Sequence, residues 1–395
     1  MSENPYRPGV GLQPTYLAGR STEESRFGRV LDSAPTIPGN VRMTGLRGVG
    51  KTVLLQRFHE IAEEHAWSAM SVELEVRHCD DARFGAMVHA QVESVIQRLS
   101  TAERIRAKIA AAADAARRLV RVEYEGFEWS LAGDLDSRSR ELADVLEGGA
   151  RRAVELGRNG LVVFFDEAQV LVDEKKPNGS HPLSSLIAAV STLQKQSVPI
   201  CLVLCGLPNL TVNLLGARTY SERMFQGFKI DTLSPPAARQ AFVEPLRGKI
   251  VDAKVDLVER VLDTVEGYPY FIQLWGAELW DAAVISGTHD FTTELLDEIE
   301  GQIYGRLDLD FYEPRIESLT PAEQDLLLTS SRCSYPPLLV SELNSRSIKS
   351  SENVNVLLGR LVKANVLYRP RKGQYLYTAP GFRDYLIRRL RKDEI

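Results

Sequence analysis

The sequence has little of what builds disulfide scaffolds, metal centres or membrane spans. There are four cysteines and six histidines in 395 residues. No two cysteines form a CxxC. Cys201 and Cys205, four apart in a predicted strand, would sit roughly 13 Å from each other at about 3.3 Å per residue, out of disulfide reach. No histidine has metal-ligand spacing, so no zinc site is expected. The apolar runs at 161–165 and 200–204 fall far short of the ~20 residues that cross a bilayer, and both read as buried strands. The opening MSENPYRPGVGLQP has no apolar stretch of the kind a signal peptide carries. A net charge of −5 gives no whole-chain signal for nucleic acid or lipid. These absences imply reduced thiols, a cytoplasmic location and no membrane partner.

What is present is ordinary globular composition, 44% hydrophobic and 26% charged, in a chain long enough for two or three domains. Strands are predicted at 41–44, 67–76, 161–165, 200–204 and 228–233. Helices are predicted at 51–66, with Val53, Leu54, Phe58 and Ile61 on one face, and at 85–99, 102–120, 141–156 and around 183–193. Alternating strands and helices imply an α/β fold with a parallel five-stranded sheet. The stretch 77–159 exceeds one crossover, so about 100–137 is read as an insertion, with extended structure at 122–131. From Ser234-Pro235-Pro236, a serine cap followed by proline, the pattern turns helical at 235–248, 255–265, 269–286 and 291–306, with no strand between. Near Thr320 a third unit opens on a capping box, Thr320-Pro321-Ala322-Glu323. It continues with helices to about 329, at 337–344 and at 351–364. A strand–turn–strand at 366–378 and a helix at 380–392 follow. Three helices and a hairpin make a winged helix-turn-helix. The expected domains are 1–234, 235–306 and 307–395.

Gly45-Leu46-Arg47-Gly48-Val49-Gly50-Lys51-Thr52 matches G-x-x-x-x-G-K-[ST] between a strand and an amphipathic helix. Glycines let the backbone curl so that its N–H groups, Val49 and Val53 flanking the turn, point at phosphate oxygens. The helix start adds positive potential, Lys51 reaches the outer phosphates, and the Thr52 hydroxyl ligates Mg²⁺. Farther on, Leu161-Val162-Val163-Phe164-Phe165-Asp166-Glu167 is an apolar strand ending in two carboxylates. Asp166 is expected to hold Mg²⁺ and Glu167 to orient and deprotonate the attacking water. The alternative is a strand-end aspartate that merely caps a turn. The pairing predicts Mg²⁺-dependent ATP hydrolysis. Adenine is preferred because no guanine-reading N-K-x-D occurs.

Further boxes resemble the AAA+ and STAND ATPases. Tyr16-Leu17-Ala18-Gly19-Arg20 is similar to the box before the P-loop, which implies that Tyr16, Leu17 and Arg20 lie near the adenine. Leu204-Cys205-Gly206-Leu207-Pro208-Asn209 resembles the segment carrying the polar sensor-1 residue, here Asn209, which could instead cap the next helix. The segment from Arg218 to Phe225, Arg-Thr-Tyr-Ser-Glu-Arg-Met-Phe, resembles the arginine-finger box, with Arg218 or Arg223 as the finger or as a surface ion pair. Gly267-Tyr268-Pro269 resembles the G-x-P of a helical lid. With the C-terminal unit, the chain resembles bacterial relatives of the archaeal-type origin-recognition (Orc/Cdc6-like) ATPases. The fold this implies is a P-loop AAA+ core, a helical lid subdomain and a C-terminal winged helix. Two departures stand out. Ser21-Thr22 precede Glu23-Glu24 after the first box, and Tyr268-Pro269-Tyr270 occupy the place of a lid arginine, leaving a γ-phosphate contact unassigned.

Residues 341–395 hold twelve basic side chains (Arg346, Lys349, Arg360, Lys363, Arg369, Arg371, Lys372, Arg383, Arg388, Arg389, Arg391, Lys392) against five acidic ones. Arg346 and Lys349 precede the predicted recognition helix, and Arg369, Arg371 and Lys372 fall on the wing, where such a domain meets phosphates. Double-stranded DNA is therefore the expected partner, with assembly into an ATP-dependent homo-oligomer. The alternative is a STAND-like nucleotide switch that signals through protein partners.

Overall fold

The computed structural model describes residues 3–9, 11–113, 135–176, 179–249 and 251–393, with side chains left undescribed at 102–137 and 391–393. The chain divides into two compact units. One comprises 20–45 and 50–231, the other 1–19, 46–49 and 232–395.

The first unit is a five-stranded parallel sheet in the order β2-β3-β4-β1-β5. The strands are β1 (Asn40–Thr44), β2 (Ser68–Glu73), β3 (Leu161–Asp166), β4 (Ile200–Gly206) and β5 (Phe225–Lys229). β3 and β4 are buried at every position, as central strands covered on both faces must be. Alternate β3 residues serve opposite faces. Val163 and Phe165 join the large apolar cluster beneath α3 (Asp81–Ala113), α4 (Leu135–Glu155) and α5 (Pro182–Lys195). Phe164 faces α1 (Ser21–Ser33) and α2 (Lys51–Glu64), where Phe27 stacks on Phe58 at 4.4 Å between ring centres. Two short helices, α6 (Leu210–Ala217) and α7 (Ser221–Met224), connect β4 to β5.

The second unit holds α8 (Pro235–Val243), α9 (Val255–Val265), α10 (Pro269–Ser286) and α11 (Thr293–Leu307). Trp275, Trp280, Phe242 and Phe291 are buried among them. A π-helical turn, Asp308–Tyr312, leads into α12 (Glu313–Glu317). The remainder comprises α13 (Pro321–Ser331), β8 (Leu338–Leu339), α14 (Val340–Arg346), α15 (Ser351–Lys363), β9 (Leu367–Arg371), β10 (Gln374–Tyr377) and α16 (Phe382–Asp393). β10 pairs antiparallel with both β8 and β9. The Thr320 capping box forms as the sequence predicts, with Glu323 accepting from the Thr320 N–H at 2.8 Å.

Several expectations need correction. β2 stops at Glu73 because Glu75 and His78 form a reciprocal cap that starts a 3₁₀ turn. No break separates 85–99 from 102 onward: α3 runs unbroken to Ala113, with Ser100 and Thr101 inside it. The rest of the predicted 102–120 helix and the extended segment at 122–131 lie outside the described residues. α4 begins at Leu135, ahead of the expected 141. β5 sits earlier than 228–233: its pairing with β1 begins at Phe225 and ends at Lys229, while Ile230 still donates to the Thr44 carbonyl at 2.7 Å. On α2, Val53 is only partly covered and Leu55 takes its place in the core. The lid helices are not free of strand: β6 (Asp252–Ala253) pairs with β7 (Asp290–Phe291). Ser234 occupies the cap position without a side-chain hydrogen bond. α1, α6 and α7 were not foreseen: α1 and α7 carry few apolar residues, and α6, though mostly apolar, is too short at eight residues for a helical period to be read.

Candidate functional site

Within the first unit the flanks of the P-loop, Gly45 and Gly50 to Thr52, meet the ends of β3 and β4. Gly45 follows β1 and donates its N–H to the Gly206 carbonyl at 3.2 Å. Gly48 and Gly50 take φ of +79° and +87°, the left-handed region that side chains resist. Nothing lies within 4 Å of a Cβ built on Gly50, so there the requirement is backbone conformation alone. Val49 is fully buried and anchors the turn. Lys51 opens α2, with Gly50 as its N-cap, and is 6% exposed. The N–H groups of that first turn, those of Lys51, Thr52 and Val53 among them, lie at the positive end of the helix, which suits an anion.

Across 114 positions of sequence, the Thr52 hydroxyl donates to Asp166 Oδ2 at 2.7 Å. Asp166 ends β3 and is 8% exposed. Its other oxygen accepts the Glu167 N–H at 2.8 Å. Glu167 itself lies at φ 51°, ψ 30°. A left-handed glutamate costs of order 1–3 kcal/mol and persists only where its surroundings hold it. One such contact is Gln169, whose amide donates to Glu167 Oε2. Gln169 Oε1 in turn accepts the Leu207 N–H at 2.9 Å, and its backbone carbonyl accepts from Asn213 at 2.9 Å. Gln169 thus ties the end of β3 to the end of β4. Sequence reasoning missed it. The available signal was an amide two residues past the acidic pair, where a solvated loop has no need of one.

Cys205 lies in β4 beside Asp166. Burial, and then the neighbouring carboxylate, hold its thiol well above the ordinary range, and burial pushes Cys201 up to about 12. Both are structural thiols, and all four cysteines are free.

The outlying predicted residues take varied positions. Arg20 is 6% exposed and donates to the Asp231 carbonyl at 2.7 Å, holding the end of the first unit's chain. Burial lowers its pKa, with Glu23 and Asp231 opposing. Asn209 is exposed at the N-cap of α6, where its side chain makes no capping bond. Arg218 is half-buried, its Nε without a hydrogen-bond partner, while Arg223 is exposed on α7. Neither makes an ion pair among the described residues. In the second unit, Tyr16 is 38% exposed and Leu17 half-buried. Gly267 (φ +70°) lies where a Cβ would come within 2.3 Å of the Leu233 carbonyl oxygen, and Pro269 begins α10.

Magnesium favours hard oxygen donors and keeps several waters, needing only one or two protein ligands beside substrate phosphates. A threonine hydroxyl and a carboxylate oxygen already 2.7 Å apart fit that demand. Among the described residues no cluster of three or more His, Cys, Asp or Glu forms a self-contained metal cage.

Residues 16–203 match the AAA ATPase domain family. The matched segment holds both the P-loop and the acidic end of β3, and the match supports nucleotide binding. Residues 309–386 match a domain of unknown function (DUF8462). No curated protein matches the sequence. Among solved structures, a Walker-type ATPase of Pyrococcus abyssi is similar at TM-score 0.59 and 17% identity, over 96% of this chain and 98% of that one. The ORC2 protein of Aeropyrum pernix, in ADPNP–ADP complexes, is similar at TM-score 0.59 and 11% identity, over 98% of this chain and 97% of that one. At these identities the likeness is one of fold. It supports the AAA+ core and its resemblance to archaeal Orc/Cdc6 proteins. No helix among the described residues is long and apolar enough to cross a membrane.

Proposed function

We propose that the protein hydrolyses MgATP and that its nucleotide state governs DNA binding by a C-terminal winged helix. The Thr52–Asp166 hydrogen bond carries the hydrolytic half of this reading, because it joins the P-loop to the acidic strand end. The P-loop N–H groups and Lys51 bind the phosphates, and Thr52 with Asp166 holds Mg²⁺. When bound, the ion neutralises charge on the phosphate oxygens. Glu167, steadied by Gln169, orients a water and accepts its proton. Tyr16, Leu17 and Arg20 line the base, with Gly267 and Pro269 shaping the lid. Asn209 serves as the polar sensor. Arg223, exposed and without an ion pair among the described residues, suits a role in a neighbouring subunit better than the half-buried Arg218.

The domain reading is a core at 1–234, a lid at 235–306 and a winged helix at 307–395. It is supported by α13, α14 and α15 followed by the β9–β10 hairpin. Arg369, Arg371 and Lys372 are exposed on that hairpin, and Arg360 and Lys363 on α15. Arg346 and Lys349, expected to approach phosphates, are paired with Glu342 and Asp325, and Arg383 donates to the carbonyls of Ser331 and Cys333. Exposed pairs of this kind are worth about 0–1 kcal/mol and yield readily to a phosphate. Arg383, half-buried, is committed to those two backbone carbonyls. The DNA-facing set is therefore narrower than the basic count suggested.

The test is steady-state MgATP hydrolysis by wild type and Glu167→Gln, with and without duplex DNA. DNA-stimulated turnover that Glu167→Gln abolishes supports the reading. Tight nucleotide binding with negligible, DNA-indifferent turnover overturns it in favour of a switch acting on proteins.

A further inference from the structure

The carbonyls of Gln169, Val170 and Leu171, just past the acidic pair, are each met by a side chain from elsewhere in the first unit. They belong to the short 3₁₀ turn Ala168–Val170 and the residue after it, and the turn starts at Glu167, whose left-handed backbone has to be held in place. The Asn213 amide nitrogen donates to the Gln169 carbonyl at 2.9 Å and reaches the Leu171 carbonyl at 3.4 Å. Between them, the Val170 carbonyl accepts from the Cys79 thiol at 2.9 Å. Two carbonyl oxygens can be met only by the NH₂ end of an amide, so the orientation of Asn213 is fixed by its partners. The turn has little slack toward β4, since a Cβ on Gly206 would fall 3.1 Å from the Gln169 backbone nitrogen.

Asn213 lies on α6, and α6 has other anchors. Leu210 and Leu214 are buried beneath it, and the Ser221 hydroxyl donates to the Leu214 carbonyl at 2.9 Å. Asn213 itself is half-buried, with Val212 and Leu215 exposed on the same helix. Its amide serves the turn. From there the contacts run on to the acidic pair. Asn213 holds the backbone of Gln169, and the Gln169 side chain donates to Glu167 Oε2 while its oxygen accepts the Leu207 N–H. Removing the Asn213 amide loosens the backbone from which Gln169 aims at Glu167.

We propose that Asn213 is a positioning residue for hydrolysis: through the Ala168–Val170 turn it sets where Gln169 holds the Glu167 carboxylate. The role rests on the reading of Glu167 as the group that takes a proton from the attacking water. Because the Asn213 hydrogen bonds go to the turn, their loss should slow the chemical step and leave nucleotide affinity in place. The Asn213 N–H also donates to the Asn209 carbonyl at 3.0 Å, so the helix that starts at the proposed sensor is the one that steadies the proposed base.

Steady-state MgATP turnover and calorimetric ADPNP binding by the full chain test this on wild type, Asn213→Ala, Asn213→Asp, Gln169→Leu, Gln169→Leu with Asn213→Ala, and Glu167→Gln. A misplaced catalytic group can lose about 100-fold in rate, so Asn213→Ala should lower kcat about 10- to 100-fold while ADPNP affinity stays within about threefold of wild type. Asn213→Asp keeps the size but sets an acceptor-only carboxylate against two carbonyls, and its kcat should fall at least as far. Asn213 and Gln169 act on the same carboxylate, so the double variant should lose less than the product of the two single losses. Should Asn213→Ala fail to fold, Asn213→Asp is read by the same split between kcat and affinity. A kcat within twofold of wild type for both Asn213 variants, while Glu167→Gln abolishes turnover, overturns the role and leaves the hydrolytic reading standing. ADPNP affinity that falls as far as kcat, or losses that multiply in the double variant, makes Asn213 a structural residue only and overturns the role as well. Wild-type turnover by Glu167→Gln overturns the reading of Glu167, and the role of Asn213 falls with it.

Discussion

Substituting leucine for Gln169 keeps most of its volume and removes two hydrogen-bonding roles. The first loss is structural. The Leu207 N–H, now satisfied at 2.9 Å in a buried setting, is left without an acceptor. An orphaned buried donor costs about 1–3 kcal/mol. For a unit of this size each kcal/mol lowers the melting temperature by about 2–4 °C, so a fall of about 2–12 °C is expected. The second loss is functional. Glu167 stands in a strained left-handed conformation and loses the amide that donates to its carboxylate. A displacement of about 1 Å in a positioned catalytic group can lower turnover about 100-fold. Scanning calorimetry measures the first effect, and MgATP turnover at saturating substrate measures the second. Gly206→Ala approaches the same contact from the other side, since its Cβ would fall 2.4 Å from Gln169 Oε1. Both variants should lose activity together. Wild-type melting and turnover within twofold for Gln169→Leu would refute the role given to this residue.

Other outcomes follow from the same geometry. Thr52→Val deletes the hydroxyl that meets Asp166, so hydrolysis should require about tenfold or more Mg²⁺ for half-maximal rate, read from a metal titration of turnover. Gly267→Ala combines a positive φ with a 2.3 Å approach to a backbone oxygen and should destabilise the second unit by more than 1 kcal/mol in denaturant unfolding. Cys201 and Cys205, buried and with raised pKa values, should resist a thiol reagent in the native protein and react only as it unfolds. Arg371→Glu with Lys372→Glu should weaken duplex binding, and their alanine counterparts should flatten its salt dependence by up to about one unit per lost phosphate contact.

Much of the architecture was legible because it is written in local patterns. The apolar run of β3 is long enough for a central strand, and its acidic end marks the sheet edge where ligands gather. The glycines of the P-loop and the Thr320 capping box are local signals, and each takes the conformation expected of it. The slips came where tertiary packing chose between near-equal local options. Strand β5 pairs with β1 from Phe225 onward, so the strand starts three residues ahead of the expected 228, and the short β6–β7 pair gave no period long enough to read.

By itself the sequence determined the α/β class, the parallel core strands and the phosphate-binding loop, since hydrophobic period and backbone freedom are properties of neighbouring residues. Only the tertiary structure set Thr52 against Asp166, placed Gln169 between two strand ends, and pressed the Tyr268 ring against Gly48. Those partners are separated by many residues in sequence, and a hydrogen bond or a packing contact exists only once folding fixes the distance between them.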